Sequence, residues 1–102
     1  MDLQTLPGIR QFDLQGKTAI VTGGSKGLGL AMAAGLASAG ARLMLVNRQA
    51  EEGRQAAREL NEAFGTEALA FAADVTDPAQ AEVMAKAAFD AWGRIDVLVN
   101  NA

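Results

Sequence analysis

Three glycines in one short loop carry the clearest chemical signal in the sequence. Gly23, Gly27 and Gly29 follow the apolar, β-branched segment 17–22, and apolar residues then recur at helical spacing. The first glycine permits a sharp turn, the second lets an anion approach the backbone, and the third lets the helix lie close to the strand. Free N–H groups and the helix dipole then favour a pyrophosphate. The spacing Gly-x3-Gly-x-Gly differs from Gly-x-Gly-x-x-Gly, so an ordinary tight turn remains the alternative.

The end of the second apolar segment, 41–47, carries a cation where dinucleotide-binding units often carry an acid. In such units an Asp or Glu about 20 residues after the glycines holds the ribose 2′-hydroxyl of NAD. Here Asn47 and Arg48 occupy that place, and the next acid is Glu51. A 2′-phosphate is attracted by Arg48, and Lys26 in the glycine loop adds a second positive charge. The sequence therefore favours NADP over NAD, with solvated surface charges as the alternative interpretation.

Two further apolar segments, 67–73 and 95–99, are each followed by polar residues. Ligands of open parallel sheets bind outside the carboxyl ends of the strands. Asp74 is therefore a candidate acceptor for an adenine amino group, and Asn101 a candidate partner for a ribose. The alternative for Asp74 is a role in forming the turn over residues 76–78.

The segments that must position these residues alternate between strand and helix patterns. We predict strands at residues 17–22, 41–47, 67–73 and 95–99, and helices at residues 27–39, 50–64 and 78–92. Strands joined by helices of this length pair in parallel through right-handed crossovers. The predicted fold class is α/β, the first half of a doubly wound sheet in the order βαβαβαβ with strand order 3-2-1-4. Residues 1–16 are predicted to be a lead-in and residues 17–102 the folded unit.

Helical spacing also predicts which side of each helix is buried. The predicted inner residues are Leu28, Met32 and Leu36 in the first helix, Gly53, Ala56, Ala57, Leu60 and Phe64 in the second, and Ala81, Met84, Ala88 and Trp92 in the third.

Composition narrows the function classes. The chain has 102 residues, a net charge of −3, and no Cys, His or Tyr. These absences exclude disulfides and thiolate or imidazole metal ligands, and they remove the commonest general base. No basic patch indicates nucleic acid, no apolar stretch is long enough to span a membrane, and no signal pattern begins the chain. We therefore expect a soluble, cytoplasmic protein.

The motifs together resemble those of the short-chain dehydrogenase/reductase family. The resemblance covers residues 13–102 and is carried by Thr22 to Gly29 (the family's TGxxxGxG), by Asp74-Val75, and by Asn100-Asn101-Ala102, the start of its NNAG motif. It implies a Rossmann-type fold with helices on both faces of the sheet. It also implies an NADP-dependent oxidoreductase that transfers hydride between NADP(H) and an alcohol or carbonyl substrate. Lys26 and Arg48 match two positions where basic residues accompany NADP preference in this family.

The resemblance assigns the cofactor contacts residue by residue. It implies that Gly23, Ser25, Lys26, Gly27 and Leu28 line the pyrophosphate and adenosine ribose, Asn47 and Arg48 face the adenosine 2′ group, Asp74 and Val75 contact the adenine, and Asn101 and Ala102 border the cofactor ribose.

One departure from the family pattern concerns catalysis. The family's catalytic Ser and its Tyr-x-x-x-Lys pair follow the NNAG motif, whereas this sequence ends inside that motif and contains no Tyr. We therefore expect a fragment of a homo-oligomeric enzyme that is inactive alone, with its fourth strand at an exposed sheet edge. Two alternatives stay open: a nucleotide-binding module without catalysis, and a structural fragment that pairs through this edge.

Overall fold

A four-stranded parallel sheet in the order β3-β2-β1-β4 organises the chain, as predicted. The computed structural model describes residues 13–101. The strands are β1 (Thr18–Thr22), β2 (Arg42–Asn47), β3 (Ala68–Ala72) and β4 (Val97–Asn100), and the helices are α1 (Gly27–Ser38), α2 (Ala50–Phe64) and α3 (Pro78–Trp92). All three strand pairs are parallel. Each predicted element is present, with ends that differ by up to two residues.

The sheet separates two apolar layers. One face packs against α1 and α2, and its core includes Val21, Leu43, Leu45 and Leu60. The other face packs against α3, and its core comprises Ile20, Met44, Val46, Ala73, Met84 and Ala88. Because β1 and β2 are buried on both sides, their sequences are continuous apolar runs rather than alternating patterns.

The buried side of α1 differs from the prediction. The buried residues are Gly29, Ala33 and Ala37 rather than Leu28, Met32 and Leu36, and Leu28 is 69% exposed. Apolar residues surround this helix on every side, so periodicity alone does not select a face. The close approach of α1 to the glycine loop selects the smallest residues for the interface.

The other two helices bury most of the residues that their spacing predicts. Gly53, Ala56, Ala57 and Leu60 are buried in α2, and Met84 and Ala88 in α3. The prediction that Phe64 faces inward is wrong, because this last residue of α2 is 44% exposed.

β4 lies at one edge of the sheet, as predicted, and Leu98 there is 61% exposed. The strand begins at Val97 rather than at residue 95 because the side chain of Asp96 replaces part of the backbone ladder. Its Oδ2 accepts from Thr18 N–H at 2.8 Å, and Arg94 donates to both carboxylate oxygens at 2.8 Å. These bonds, chiefly that from Arg94, lower the pKa of Asp96 to about 2. The carboxylate that joins β4 to β1 is therefore ionised at neutral pH.

At the end of the sheet where the strands begin, the Trp92 side chain holds the last turn of α3 in place. Its indole N–H donates to the Glu67 carboxylate, and the Arg42 guanidinium lies 5.9 Å from the ring centroid. A cation above an aromatic face is attracted by the ring quadrupole. The last turn of α3 is thereby held against the start of β2 and the residue before β3.

The ends of the chain are only partly described. Of the predicted lead-in, residues 1–12 lie outside the described residues, and Leu14 packs against the α1 side of the core. The predicted domain limits stay a prediction. Between residues 13 and 101, none of the helices has both the length and the apolar character needed to cross a membrane. Over the same range, no group of three or more Asp or Glu residues is placed to hold a metal ion.

Candidate functional site

A cavity of about 450 Å³ opens at the carboxyl ends of β1, β2 and β3. It is lined by Gly23, Ser25, Lys26, Val46, Asn47, Arg48, Gln49, Glu52, Ala73, Asp74, Val75 and Thr76. The structure thus brings together the residues predicted from the glycine loop and from the ends of the second and third strands. The volume is within the range of sites for small ligands and cofactors.

The glycine loop has the backbone geometry that its composition predicts. Gly23 has φ of 66° and donates its N–H to Val46 O at 2.7 Å, so the chain turns sharply at the end of β1. Gly27 has φ of 59° and begins α1, and among the described residues no atom other than those of the adjacent backbone and chain neighbours lies within 4 Å of the position of a Cβ there. A Cβ on Gly29 would lie 1.9 Å from Gly23 O. The third glycine therefore permits close packing, and the second leaves open space.

The amino end of α1 is the one best suited to bind an anion. Its N-cap, Lys26, makes no side-chain capping bond, and its first turn has no acid. By contrast, Asp77 caps α3 by accepting from Ala79 N–H, and the first turn of α2 contains Glu51 and Glu52. The first N–H groups of a helix have no internal partner. Those of α1 are therefore open to an anionic ligand.

Two cations line the cavity without an ion-pair partner. Among the described residues, neither Lys26 nor Arg48 has a carboxylate within 4 Å. Both side chains are exposed. Asn47 beside them is engaged locally, because its Nδ2 donates to Gln49 O at 2.8 Å. Positive charge therefore lines the cavity near the end of β2. Glu52 is an acid on the same cavity wall.

Asp74 stabilises a turn and also lines the cavity. Its Oδ1 accepts from the Thr76 N–H at 3.0 Å and from the Thr76 hydroxyl at 2.6 Å. These bonds, with a smaller contribution from the Arg48 charge, lower the pKa of Asp74. The turn-forming interpretation therefore holds for one carboxylate oxygen. An ionised carboxylate accepts through both oxygens, so Oδ2 remains a candidate acceptor for a ligand.

The remaining predicted residues lie outside the cavity lining. Leu28 points into solvent on the first turn of α1, and Gly27 marks the start of that helix. Asn101 lies on the β4 side of the glycine loop, with its Nδ2 2.7 Å from the position of a Cβ on Gly29. Ala102 lies outside the described residues.

Thr22 joins the glycine loop to the end of β4, a role that sequence reasoning missed. Its hydroxyl lies 3.3 Å from Val99 O and 3.2 Å from Asn100 Oδ1, and it accepts from Asn101 N–H at 2.9 Å. The side chain is buried. The hydroxyl therefore sets the position of Asn101 relative to the loop.

Replacing Thr22 with valine is expected to lower the free energy of unfolding by about 1–2 kcal/mol, because the half-buried Asn101 N–H loses its acceptor. Thr18→Val is the matched control, since Thr18 is equally buried on the same strand but its hydroxyl has no partner. Removing an unsatisfied hydroxyl is expected to stabilise the fold by about 1 kcal/mol. Urea unfolding followed by circular dichroism measures both values. Equal effects of the two substitutions would contradict the assigned role of Thr22.

Sequence reasoning also missed three polar residues of the cavity wall, Gln49, Glu52 and Thr76. It considered the residues directly after each strand, whereas Glu52 belongs to the following helix. The sequence offers no spacing signal for Glu52, because Arg48 precedes the N-cap Gln49 and helical periodicity does not relate the two residues.

Comparisons with known proteins agree with this geometry. The family model described as short chain dehydrogenase matches residues 17–102. L-rhamnose 1-dehydrogenase (NAD(P)(+)) of Azotobacter vinelandii is 46% identical over 89 residues, which are 84% of this chain and 35% of that protein. The chain spans about a third of the length of the curated relatives it matches.

Solved structures show the same arrangement of the shared part. The L-sorbose reductase of Gluconobacter frateurii, complexed with NADPH and L-sorbose, matches with a TM-score of 0.86 and 42% identity, over 89% of this chain and 35% of that chain. A metagenomic short-chain oxidoreductase in complex with NADP matches with a TM-score of 0.83 and 43% identity, over 88% and 40% of the two chains.

Proposed function

Because this chain belongs to the short-chain dehydrogenase family, we propose that its cavity binds the adenosine half of NADP(H). We further propose that the protein to which these residues belong is an oxidoreductase acting on an alcohol or carbonyl substrate. The observation that carries the proposal is that two cations, Lys26 and Arg48, which have no ion-pair partner within residues 13–101, lie at one cavity with a helix start that lacks a side-chain cap. The NADP(H) in the two solved structures described above supports the same cofactor.

The residues of the site fit the parts of the dinucleotide. The space at Gly27 and the N–H groups of α1 suit the pyrophosphate, with Gly23, Ser25 and Leu28 beside it. The two cations suit a 2′-phosphate, since a charge-assisted hydrogen bond is about twice as strong as a neutral one.

The other wall of the site suits the adenine and a ribose. We propose that Asp74 Oδ2 accepts from the adenine amino group and that Val75 makes an apolar contact with the ring, since both residues line the cavity. Asn47 borders the 2′ group, while Asn101 and Ala102 are assigned to the cofactor ribose. When bound, the nicotinamide ring exchanges the hydride with the substrate. The residues of this chain bind and orient the adenosine half.

A second candidate function is nucleotide binding without turnover by these 102 residues. The observation in its favour is that the chain contains no Tyr, His or Cys, so the commonest groups for proton transfer are missing. We expect the chain to bind NADPH without oxidising it in the presence of a ketose or another carbonyl compound. A loss of NADPH absorbance that depends on the carbonyl compound would contradict this expectation.

Calorimetric titration tests the proposed binding. We expect NADP⁺ and adenosine 2′,5′-bisphosphate to bind the chain at least about tenfold more tightly than NAD⁺ and adenosine 5′-monophosphate, because one charged contact is worth roughly 1.5–3 kcal/mol. Salt should weaken the first pair more than the second. A folded sample that gives no heat with any of the four ligands would overturn the proposal.

A further inference from the structure

One acid shares the cavity wall with the two cations. Glu52 is the third residue of α2 and lines the cavity together with Lys26 and Arg48. It also lines, again with Lys26, an adjoining groove of about 200 Å³ between the glycine loop and α2. Its side chain is exposed, and no described Lys or Arg lies within 4 Å of its carboxylate. Among the described residues its negative charge is thus not held in a contact ion pair, although Lys26 and Arg48 lie on the same cavity wall.

We propose that Glu52 is a specificity-determining residue that selectively weakens binding of the 2′-phosphate and so moderates the preference for NADP(H). The inference rests on the proposed function, because it concerns the affinity of the same cavity for two forms of one ligand. Lys26 and Arg48 attract the 2′-phosphate, whereas Glu52 repels it. NAD has no charge at this position, so Glu52 acts on it only through the pyrophosphate, which both dinucleotides share.

The charge balance of the cavity supports this role. Asp74 is the other acid on the wall, but its Oδ1 is engaged by Thr76 within its own turn. Both acids carry a negative charge, but among the described residues Glu52 is the one whose side chain is not tied to its own turn by hydrogen bonds. For charges about 10 Å apart in water, Coulomb's law gives a repulsion between a carboxylate and a doubly charged phosphate that changes affinity by about three- to tenfold. Screening within a Debye length of about 10 Å at 0.1 M salt reduces this effect at higher ionic strength.

An acid at the position of Glu52 also stabilises α2 itself, and this structural effect determines which variant serves as the control. An acid in the first turn of a helix stabilises the helix through its dipole, wherever its side chain points. Glu51 occupies the same turn of α2, but it pairs with Arg54 at 2.8 Å and does not line the cavity. Glu51→Gln therefore removes a similar helix-dipole contribution and the same formal charge while leaving the cavity wall intact.

The experiment compares the 102-residue chain with its Glu52→Gln and Glu51→Gln variants, after circular dichroism has shown that all three are folded. Each is titrated with NADP⁺, NAD⁺, adenosine 2′,5′-bisphosphate and adenosine 5′-monophosphate at about 20 mM and about 500 mM salt, which are about fivefold below and fivefold above 0.1 M. We expect Glu52→Gln to tighten binding of the two 2′-phosphorylated ligands by about three- to tenfold at low salt and by less than about twofold at high salt. The other two ligands should gain less, and Glu51→Gln should change the ratio of affinity between the two pairs of ligands by less than about twofold.

Three results would overturn the inference. An equal gain for all four ligands would indicate a general effect on the site rather than on the 2′-phosphate. An equal gain in affinity in the Glu51→Gln variant would show that the gain comes from the net charge of the chain or from the dipole of α2. Unchanged affinities in the Glu52→Gln variant would show that the acid does not act on the site, although the proposed function would stand. Absence of binding by the unmodified chain would instead overturn the proposed function, and the inference with it.

Discussion

Replacing Arg48 with aspartate is expected to reverse the cofactor preference, lowering the ratio of NADP⁺ to NAD⁺ affinity by about 100-fold or more. The substitution removes a charge-assisted contact to the 2′-phosphate, worth roughly 1.5–3 kcal/mol, and places a repelling carboxylate there. The same carboxylate is able to accept from the ribose 2′-hydroxyl of NAD⁺. The ratio is measured by titration of the folded variant with both dinucleotides.

Arg58→Asp is the matched control for this substitution. It changes the net charge by the same amount, but Arg58 lies on the exposed side of α2 and does not line the cavity. The ratio of NADP⁺ to NAD⁺ affinity in the Arg58→Asp variant should stay within about threefold of that in the unmodified chain, since long-range electrostatic effects are screened. Lys26→Ala should weaken NADP⁺ more than NAD⁺, for the same electrostatic reason. An unchanged ratio in the Arg48 variant would show that Arg48 does not interact with the 2′ group.

Gly29→Ala is expected to lower the free energy of unfolding by about 3 kcal/mol or more and to abolish nucleotide binding. The added Cβ would lie 1.9 Å from the backbone oxygen of Gly23, and a backbone atom cannot move aside as a flexible side chain can. Either α1 must move away from the sheet or the glycine loop must shift. Both changes disturb the N–H groups that are proposed to hold the pyrophosphate. Urea unfolding and titration with NADP⁺ measure the two effects.

Gly35→Ala controls for the general effect of adding a methyl group to α1. Gly35 lies in the same helix, is exposed, and has no atom within 4 Å of the position of a Cβ. Because alanine is the better helix former, this variant should be more stable by up to about 1 kcal/mol and should bind normally. If both variants behaved alike, the close contact between Gly29 and Gly23 would not be what limits this position.

The sequence predicted the strands and their order because β1 and β2 are buried on both faces and therefore read as unbroken apolar runs. The inner side of α2 was also predictable, since its apolar residues are separated by charged ones. The inner side of α1 could not be predicted from the sequence. Its face is chosen by how closely Gly29 approaches the loop, and this distance depends on tertiary packing rather than on periodicity.

The candidate site likewise contains residues that could be predicted from the sequence and residues that could not. Lys26, Arg48 and Asp74 directly follow strands or lie in the glycine loop, so strand topology was sufficient to bring them to one cavity. The contributions of Thr22 and Glu52 depend on side-chain direction. Thr22 ends a strand whose partner at that point, β4, is more than 70 residues away in the chain. Nothing near Thr22 in the sequence indicates that its hydroxyl would meet Asn101.

Trp92 lies far from the candidate site, so its fluorescence reports on the packing of α3 rather than on contact with a bound ligand. It is the chain's one tryptophan, and its indole is held between Glu67 and Arg42 where the strands begin. The candidate site lies at the opposite ends of the strands, about 16 Å away along β2. Intrinsic fluorescence therefore reports whether α3 is docked on the sheet, while bound adenosine lies too far away to touch the fluorophore. A change in Trp92 emission on addition of adenosine 2′,5′-bisphosphate would thus signal a movement transmitted through the sheet.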